Sequence, residues 1–136
     1  MYTVAALIYP DALATSVTLP MEILSAAAQT ARSQRRTAPG VRFLLAAETA
    51  GTVTLDNGLT LECPVSQWEL PALDLLILPA IWRTPLPTVR RCAAWLPQLQ
   101  AIAAAGTRIC SVGTASSLLA EAGLLDGRPA TTHWNY

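Results

Sequence analysis

The chain has 136 residues, close to the commonest single-domain size, and 52% of them are hydrophobic, enough to bury one sizeable core. Nine arginines, with no lysine, balance nine acidic residues, so the charge gives no footing for nucleic acid or for an anionic membrane surface. Three cysteines, Cys63, Cys92 and Cys110, form no CxxC pair and fit neither a disulfide framework nor a tetrahedral metal site, which points to a reducing cytoplasm.

The run from Met1 to Pro10 has no basic flank and is too short for a membrane span or a signal sequence; it reads as a first buried strand. Similar runs at Val4 to Tyr9, Val41 to Ala47, Leu73 to Leu78 and Arg108 to Val112 are short, rich in branched residues and mostly continuous, as strands covered on both faces are. Helical stretches lie between them. The alternation predicts an α/β fold with a parallel sheet and right-handed crossovers.

A first helix is expected from Thr15 or Ser16, with Val17, Met21, Leu24, Ala28 and Ala31 on one face and Pro20 in or beside its first turn. Arg32, Arg35 and Arg36 at its end suit a helix C-terminus. Asn57-Gly58 between two alternating runs predicts a tight antiparallel hairpin over 52–61. After Pro79, a loop over 82–87 leads to a helix with Val89, Cys92, Leu96, Leu99 and Ala103 inward. Pro97 either kinks that helix or opens a second one. Gly106 ends it before the last strand.

The stretch Ile109 to Gly127 carries most information. A strand ends at Val112 and a helix begins by about Ala115, with only Gly113 and Thr114 between. Such a turn strains one residue at the carboxyl end of the sheet, where open α/β folds bind ligands, and free amides at the helix start favour an anion or a polarised carbonyl. Glycine takes the positive φ this demands. Thr114, Ser116 and Ser117 are expected to cap the new helix rather than to act as nucleophiles.

Leu118-Leu119-Ala120-Glu121-Ala122-Gly123-Leu124-Leu125-Asp126-Gly127-Arg128 and Ala130-Thr131-Thr132-His133-Trp134 closely resemble the elbow region of the ThiJ/PfpI domain of AraC-type transcription regulators. Weaker agreement at Leu76-Ile77-Leu78-Pro79 and Leu19-Pro20-Met21-Glu22-Ile23-Leu24 extends the resemblance over essentially the whole chain. It implies a flavodoxin-like three-layer sandwich, a mostly parallel central sheet with a small antiparallel hairpin. It also implies a single domain over 1–136 that lacks the family's last elements and a downstream helix-turn-helix domain, through which alone DNA would be contacted.

In the family an elbow cysteine acts with a first-helix carboxylate and a histidine. These positions align with Gly113, Ser16 and His133, so only the histidine is kept. The family's glycine pair after the fourth strand, which offers amides to a ligand, becomes Ala80-Ile81. Covalent catalysis needs an activated nucleophile, which glycine cannot be. Cys110, three residues earlier and inside the strand, is expected to be a small buried hydrophobe, as are Cys63 and Cys92.

The expected function is therefore a non-catalytic sensor or dimerisation domain, with an unidentified small-molecule effector, a homodimer as its assembly and no membrane partner. Its expected ligand-binding positions are Ser16, Ala80, Ile81, Gly113, Thr114, Ala115 and His133. No cofactor or metal is expected, because His133 is the single histidine and no second ligand stands at metal spacing. The competing readings are a cysteine-hydrolase-type enzyme of amidase, hydratase or glyoxalase kind, and a purely structural dimerisation domain. Of the four tryptophans, Trp82 is expected at the rim of the cleft and the others in core or interface.

Overall fold

A computed structural model of the chain describes residues 1–132, 134 and 135. Strand β1 (Tyr2–Leu7) is followed by α1 (Thr15–Gln34), β2 (Val41–Ala47), β3 (Gly51–Thr54), β4 (Thr60–Cys63), β5 (Val65–Ser66) and β6 (Leu75–Leu78). Helices α2 (Leu86–Arg91) and α3 (Leu96–Ala104) lead to β7 (Arg108–Ser111), and a 3-10 turn over Gly113–Ala115 opens α4 (Ser116–Glu121).

Five strands form one sheet in the order β5-β2-β1-β6-β7, every pair parallel. The chain leaves β1 through α1 toward β2 on one side, and leaves β6 through α2 and α3 toward β7 on the other. Right-handed crossovers in opposite directions put the helices on opposite faces, which gives the three layers. They also create a switch point between β1 and β6, where the strand ends leave a crevice.

The central strands are buried because both faces are covered: Val4 to Tyr9 and Leu76 to Leu78 lie in the core, and Trp95, Leu99 and Leu118 close it from the helices. Leu76 sits beside Ala5 on β1 and Ile109 on β7, so β6 is the middle of the functional half of the sheet. Among the described residues, no helix is long and apolar enough to cross a membrane.

Several local expectations change. The hairpin of β3 and β4 is antiparallel as predicted but forms its own two-stranded sheet, and its turn runs over 56–58 between Leu55 and Leu59. Gly58, at φ +88°, takes the left-handed position of that three-residue loop. The two-residue β5 has too little pattern to be read from sequence. Pro97 falls in the first turn of α3, so there are two helices and not one kinked helix. Pro20 lies in the second turn of α1, where it cannot donate to the Ser16 carbonyl.

Along α1 only Ser16 and Val17 are buried; Met21, Leu24 and Ala28 are half-buried, and Ala31 is exposed. Trp95 alone of the tryptophans is core, while Trp68, Trp82 and Trp134 are exposed. Cys63 and Cys92 are buried as expected, whereas Cys110 is half-buried because β7 is an edge strand.

Burial also sets the alkaline limit of the fold. It pushes the Cys92 thiol from 9.0 up to about 11, a rise that Arg91 moderates and Asp11 and Glu48 reinforce. Burial raises the Tyr9 hydroxyl well above its usual range, helped by Cys92 and Asp11, and it raises Cys63 as well. Because the folded chain holds these protons more tightly, the unfolded chain loses them first, and stability present below the ordinary thiol value of 9.0 declines as pH climbs toward about 11. Urea unfolding from pH 8 upward should show this decline, flatter in Cys92→Ala whatever that variant loses in packing; equal slopes would contradict it.

Candidate functional site

The carboxyl ends of β1, β6 and β7 meet at the switch point, and three short segments leave them. Gly113 takes φ +53° at the turn from β7 into α4. A Cβ there would lie 3.8 Å from Ala80 Cβ, an ordinary contact, so the glycine answers to backbone conformation and not to crowding.

The loop after β6 is fixed on both sides. Ser16 Oγ donates to the Leu13 carbonyl at 2.6 Å and accepts the Ala80 N–H at 2.9 Å. Thr114 Oγ1 accepts the Ile81 N–H and donates to the Ile81 carbonyl, both at 2.9 Å. Leu13 N–H donates to the Ala80 carbonyl at 2.8 Å, and Trp82 N–H to the Asp11 carbonyl at 2.6 Å. The Tyr9 hydroxyl donates to the Pro79 carbonyl. From Pro79 to Trp82 the backbone is thus bound to α1, to the loop between β1 and α1, and to the elbow.

This pinning carries a local cost at the next residue. Arg83 has φ +63°, a left-handed conformation that costs a non-glycine residue roughly 1–2 kcal/mol. The loop holds it there because the preceding amides have no freedom to relax.

Two clefts open beside Gly113. One, of about 300 Å³, is walled by Leu13, Ala80, Ile81, Trp82, Gly113 and Thr114. The other, of about 550 Å³, lies between Ser111, Gly113 and Ser116 on one side and the segment over 129–132 on the other, where Thr132 Oγ1 donates to the Gly113 carbonyl at 3.4 Å. No cysteine lines either cleft. The N–H groups of Gly113 and Thr114 have no partner among the described residues.

The predicted site residues thus divide. Ala80, Ile81, Gly113 and Thr114 meet at one cleft, and Trp82 stands half-exposed at its rim as expected. Ser16 is buried and lines neither cleft, because its hydroxyl is turned to Leu13 and Ala80. Ala115 is fully buried and faces neither cleft, a correction that follows from its place on the inner side of the 3-10 turn. The expected capping role of Thr114 is also corrected: α4 has no side-chain cap, and the Thr114 hydroxyl reaches Ile81 instead. The amides of Ala80 and Ile81 are taken by side chains and offer nothing to a ligand. His133 lies outside the described residues.

Among known proteins, no family model matches the chain. Over 84 residues it is 34% identical to the HTH-type transcriptional regulator CdhR of Pseudomonas aeruginosa, a match covering 62% of this chain and 24% of that protein. It is 28% identical over 130 residues to isonitrile hydratase of Pseudomonas putida, covering 96% of this chain and 51% of that one. The chain therefore spans about a quarter and about half the length of these curated relatives.

Among solved structures, an AraC family transcriptional regulator from Pseudomonas putida matches 99% of this chain and 68% of its own, at TM-score 0.72 and 27% identity. A proposed transcriptional regulator from Vibrio parahaemolyticus gives TM-score 0.82 at 20% identity, covering 99% of this chain and 68% of that one. A ThiJ/PfpI family protein from Pseudomonas syringae gives 0.65 at 23% identity, covering 98% and 50%. The fold is that of the ThiJ/PfpI, DJ-1-like domains. Within that class, the chain's neighbours include the domains carried by AraC-family regulators.

Replacing Thr114 by Val leaves the Ile81 N–H buried without an acceptor, and should lower stability by about 1–3 kcal/mol. Chemical denaturation reads this directly. A change under about 0.5 kcal/mol would mean the hydroxyl is not the tie described here.

Proposed function

We propose that this is a ligand-sensing domain of an AraC-type regulator, non-catalytic, which takes a small effector in the cleft beside Gly113. The observation that carries the reading is the composition of that cleft: a glycine at the elbow, no cysteine in either wall, and the Ala80 and Ile81 amides already bonded to Ser16 and Thr114. Without a thiol the site lacks the nucleophile that covalent chemistry requires. With those amides engaged, the loop after β6 adds no donor to the cleft, which leaves the elbow amides to meet a polar group of a ligand.

What remains is suited to recognition. The smaller cleft is mostly apolar, with an indole at its rim and the Gly113 and Thr114 N–H groups as its polar element. The strain at Arg83 sits on its edge, a place where binding can be coupled to a shift of the loop. DNA contact falls to a separate domain, consistent with a balanced charge over these 136 residues. Relatives that are transcription regulators support a cytoplasmic setting.

Dimerisation is the second half of the reading. On α1, Leu19 and Ile23 are 56% and 59% exposed one turn apart, an apolar stripe that Ala26 and Ala27 continue. Such a stripe on a helix is the simplest surface for a second copy. The enzymatic alternative rests on the isonitrile hydratase relative, whose activity is stated of that protein alone.

The test has two arms. The wild-type chain should turn over neither isonitriles nor 2-oxoaldehydes, and turnover abolished by changing Cys63, Cys92 and Cys110 to Ser would overturn the non-catalytic assignment. In a metabolite screen by thermal unfolding, at least one compound should raise Tm and perturb Trp82 emission, with both effects lost in Gly113→Leu, which fills the cleft. Stabilisation that survives Gly113→Leu would place the effector elsewhere.

A further inference from the structure

Another cleft, of about 230 Å³, lies on the opposite side of β1 from the elbow, at the carboxyl ends of β1 and β2. Its floor and walls are apolar, from Leu7, Ile8, Ala47 and Val53. Polar groups enter from three different elements: Glu48 after β2, Gln67 after β5, and Arg91 at the end of α2. We propose that this cleft is a second binding site, for a free amino acid or a similarly small zwitterion.

Gln67 is the observation that points to a ligand. The residue is only 5% exposed, yet its side-chain amide makes no hydrogen bond among the described residues. Nor is it a sealed, unsatisfied group, since no buried side-chain polar atom lacks a partner. Its carboxamide therefore keeps its small exposure into the cleft it lines. A carboxamide in that position can exchange water in the cleft for a ligand that accepts from it and donates to it.

The scaffold holds Gln67 firmly. Trp95 Nε1 donates to the Gln67 carbonyl at 3.2 Å, and Ser66 Oγ, which donates to the Glu48 carbonyl at 3.1 Å, also accepts the Trp68 N–H at 3.3 Å. Ser66 thereby couples the backbones that carry Gln67 and Glu48. Such preorganisation is what a recognition site needs from its supporting residues.

The charges supply the ligand class. Arg91 Nη2 donates to Asp11 Oδ1 at 2.9 Å and to Thr88 Oγ1 at 3.1 Å, and the Thr88 hydroxyl donates to Asp11, which leaves Nη1 and Nε of Arg91 for an anion. Glu48 is an exposed carboxylate on the other wall, without a salt-bridge partner among the described residues. A guanidinium, a free carboxylate and a carboxamide, over an aliphatic floor, match a carboxylate, an ammonium and a short side chain. The volume is that of about eight water molecules, which limits the occupant to amino-acid size. Cys92 in the wall stays a neutral thiol, its pKa pushed up by burial.

This inference does not depend on the elbow cleft and goes beyond the function proposed above. It is tested by thermal unfolding of the whole chain with each free L-amino acid at millimolar concentration, beside the N-acetyl and methyl-ester derivative of every amino acid that acts. At ten times Kd, one or more amino acids should raise Tm by about 3–6 °C. Neither derivative should do so, since each lacks one of the two charges. Glu48→Gln, a surface change that leaves the core intact, and Gln67→Leu should each reduce the shift by more than half. No shift with any amino acid, an equal shift with the derivatives, or an undiminished shift in Glu48→Gln overturns the proposal.

Discussion

Two hydroxyl groups organise the functional end of this protein. Ser16 Oγ and Thr114 Oγ1 receive the N–H groups of Ala80 and Ile81, joining the loop after β6 to α1 on one side and to the elbow on the other. A loop at the end of a central strand would otherwise leave these buried amides unpaired, at about 1–3 kcal/mol each. With both caps in place the loop adds to the rigid scaffold, and the elbow is set so close to it that a Cβ at Gly113 would come within ordinary contact of Ala80.

The same arrangement limits the chemistry. An elbow at the carboxyl edge of a parallel sheet is where an open α/β fold concentrates binding, because the strand ends and crossovers leave a crevice there. The Ala80 and Ile81 amides are here committed to the fold, and the tip of the elbow, Gly113, carries no side chain. Similarity to domains of AraC-family regulators and, more distantly, to an enzyme fits a scaffold whose function is decided by its site and not by its topology.

Much of the scaffold was legible from residue pattern. Continuous apolar runs located four of the five strands of the parallel sheet, since strands covered on both faces carry no alternation, and the Val112-Gly113-Thr114 turn identified the elbow. What escaped depends on distant partners. Nothing in the local pattern of Thr114 distinguishes a helix cap from a hydroxyl bound to Ile81, 33 residues away. Ser16 reads as a site position by alignment, yet its bond to Ala80 spans 64 residues. Gln67 has no motif, and its significance appears only when β5 and Trp95 enclose it. The hairpin turn stands where Asn57-Gly58 placed it, and its three-residue loop over 56–58 could not be read beforehand because Asn-Gly signals a turn without fixing loop length.

Amide hydrogen exchange at Ala80 and Ile81 tests the central claim most directly. Both N–H groups should be protected to the level of the core strands, and Ser16→Ala should release Ala80 while Thr114→Val releases Ile81. Exchange of both amides in the wild-type chain at the rate of an open surface loop would show that the two hydroxyls do not hold this loop, and the account of the site would fail with them.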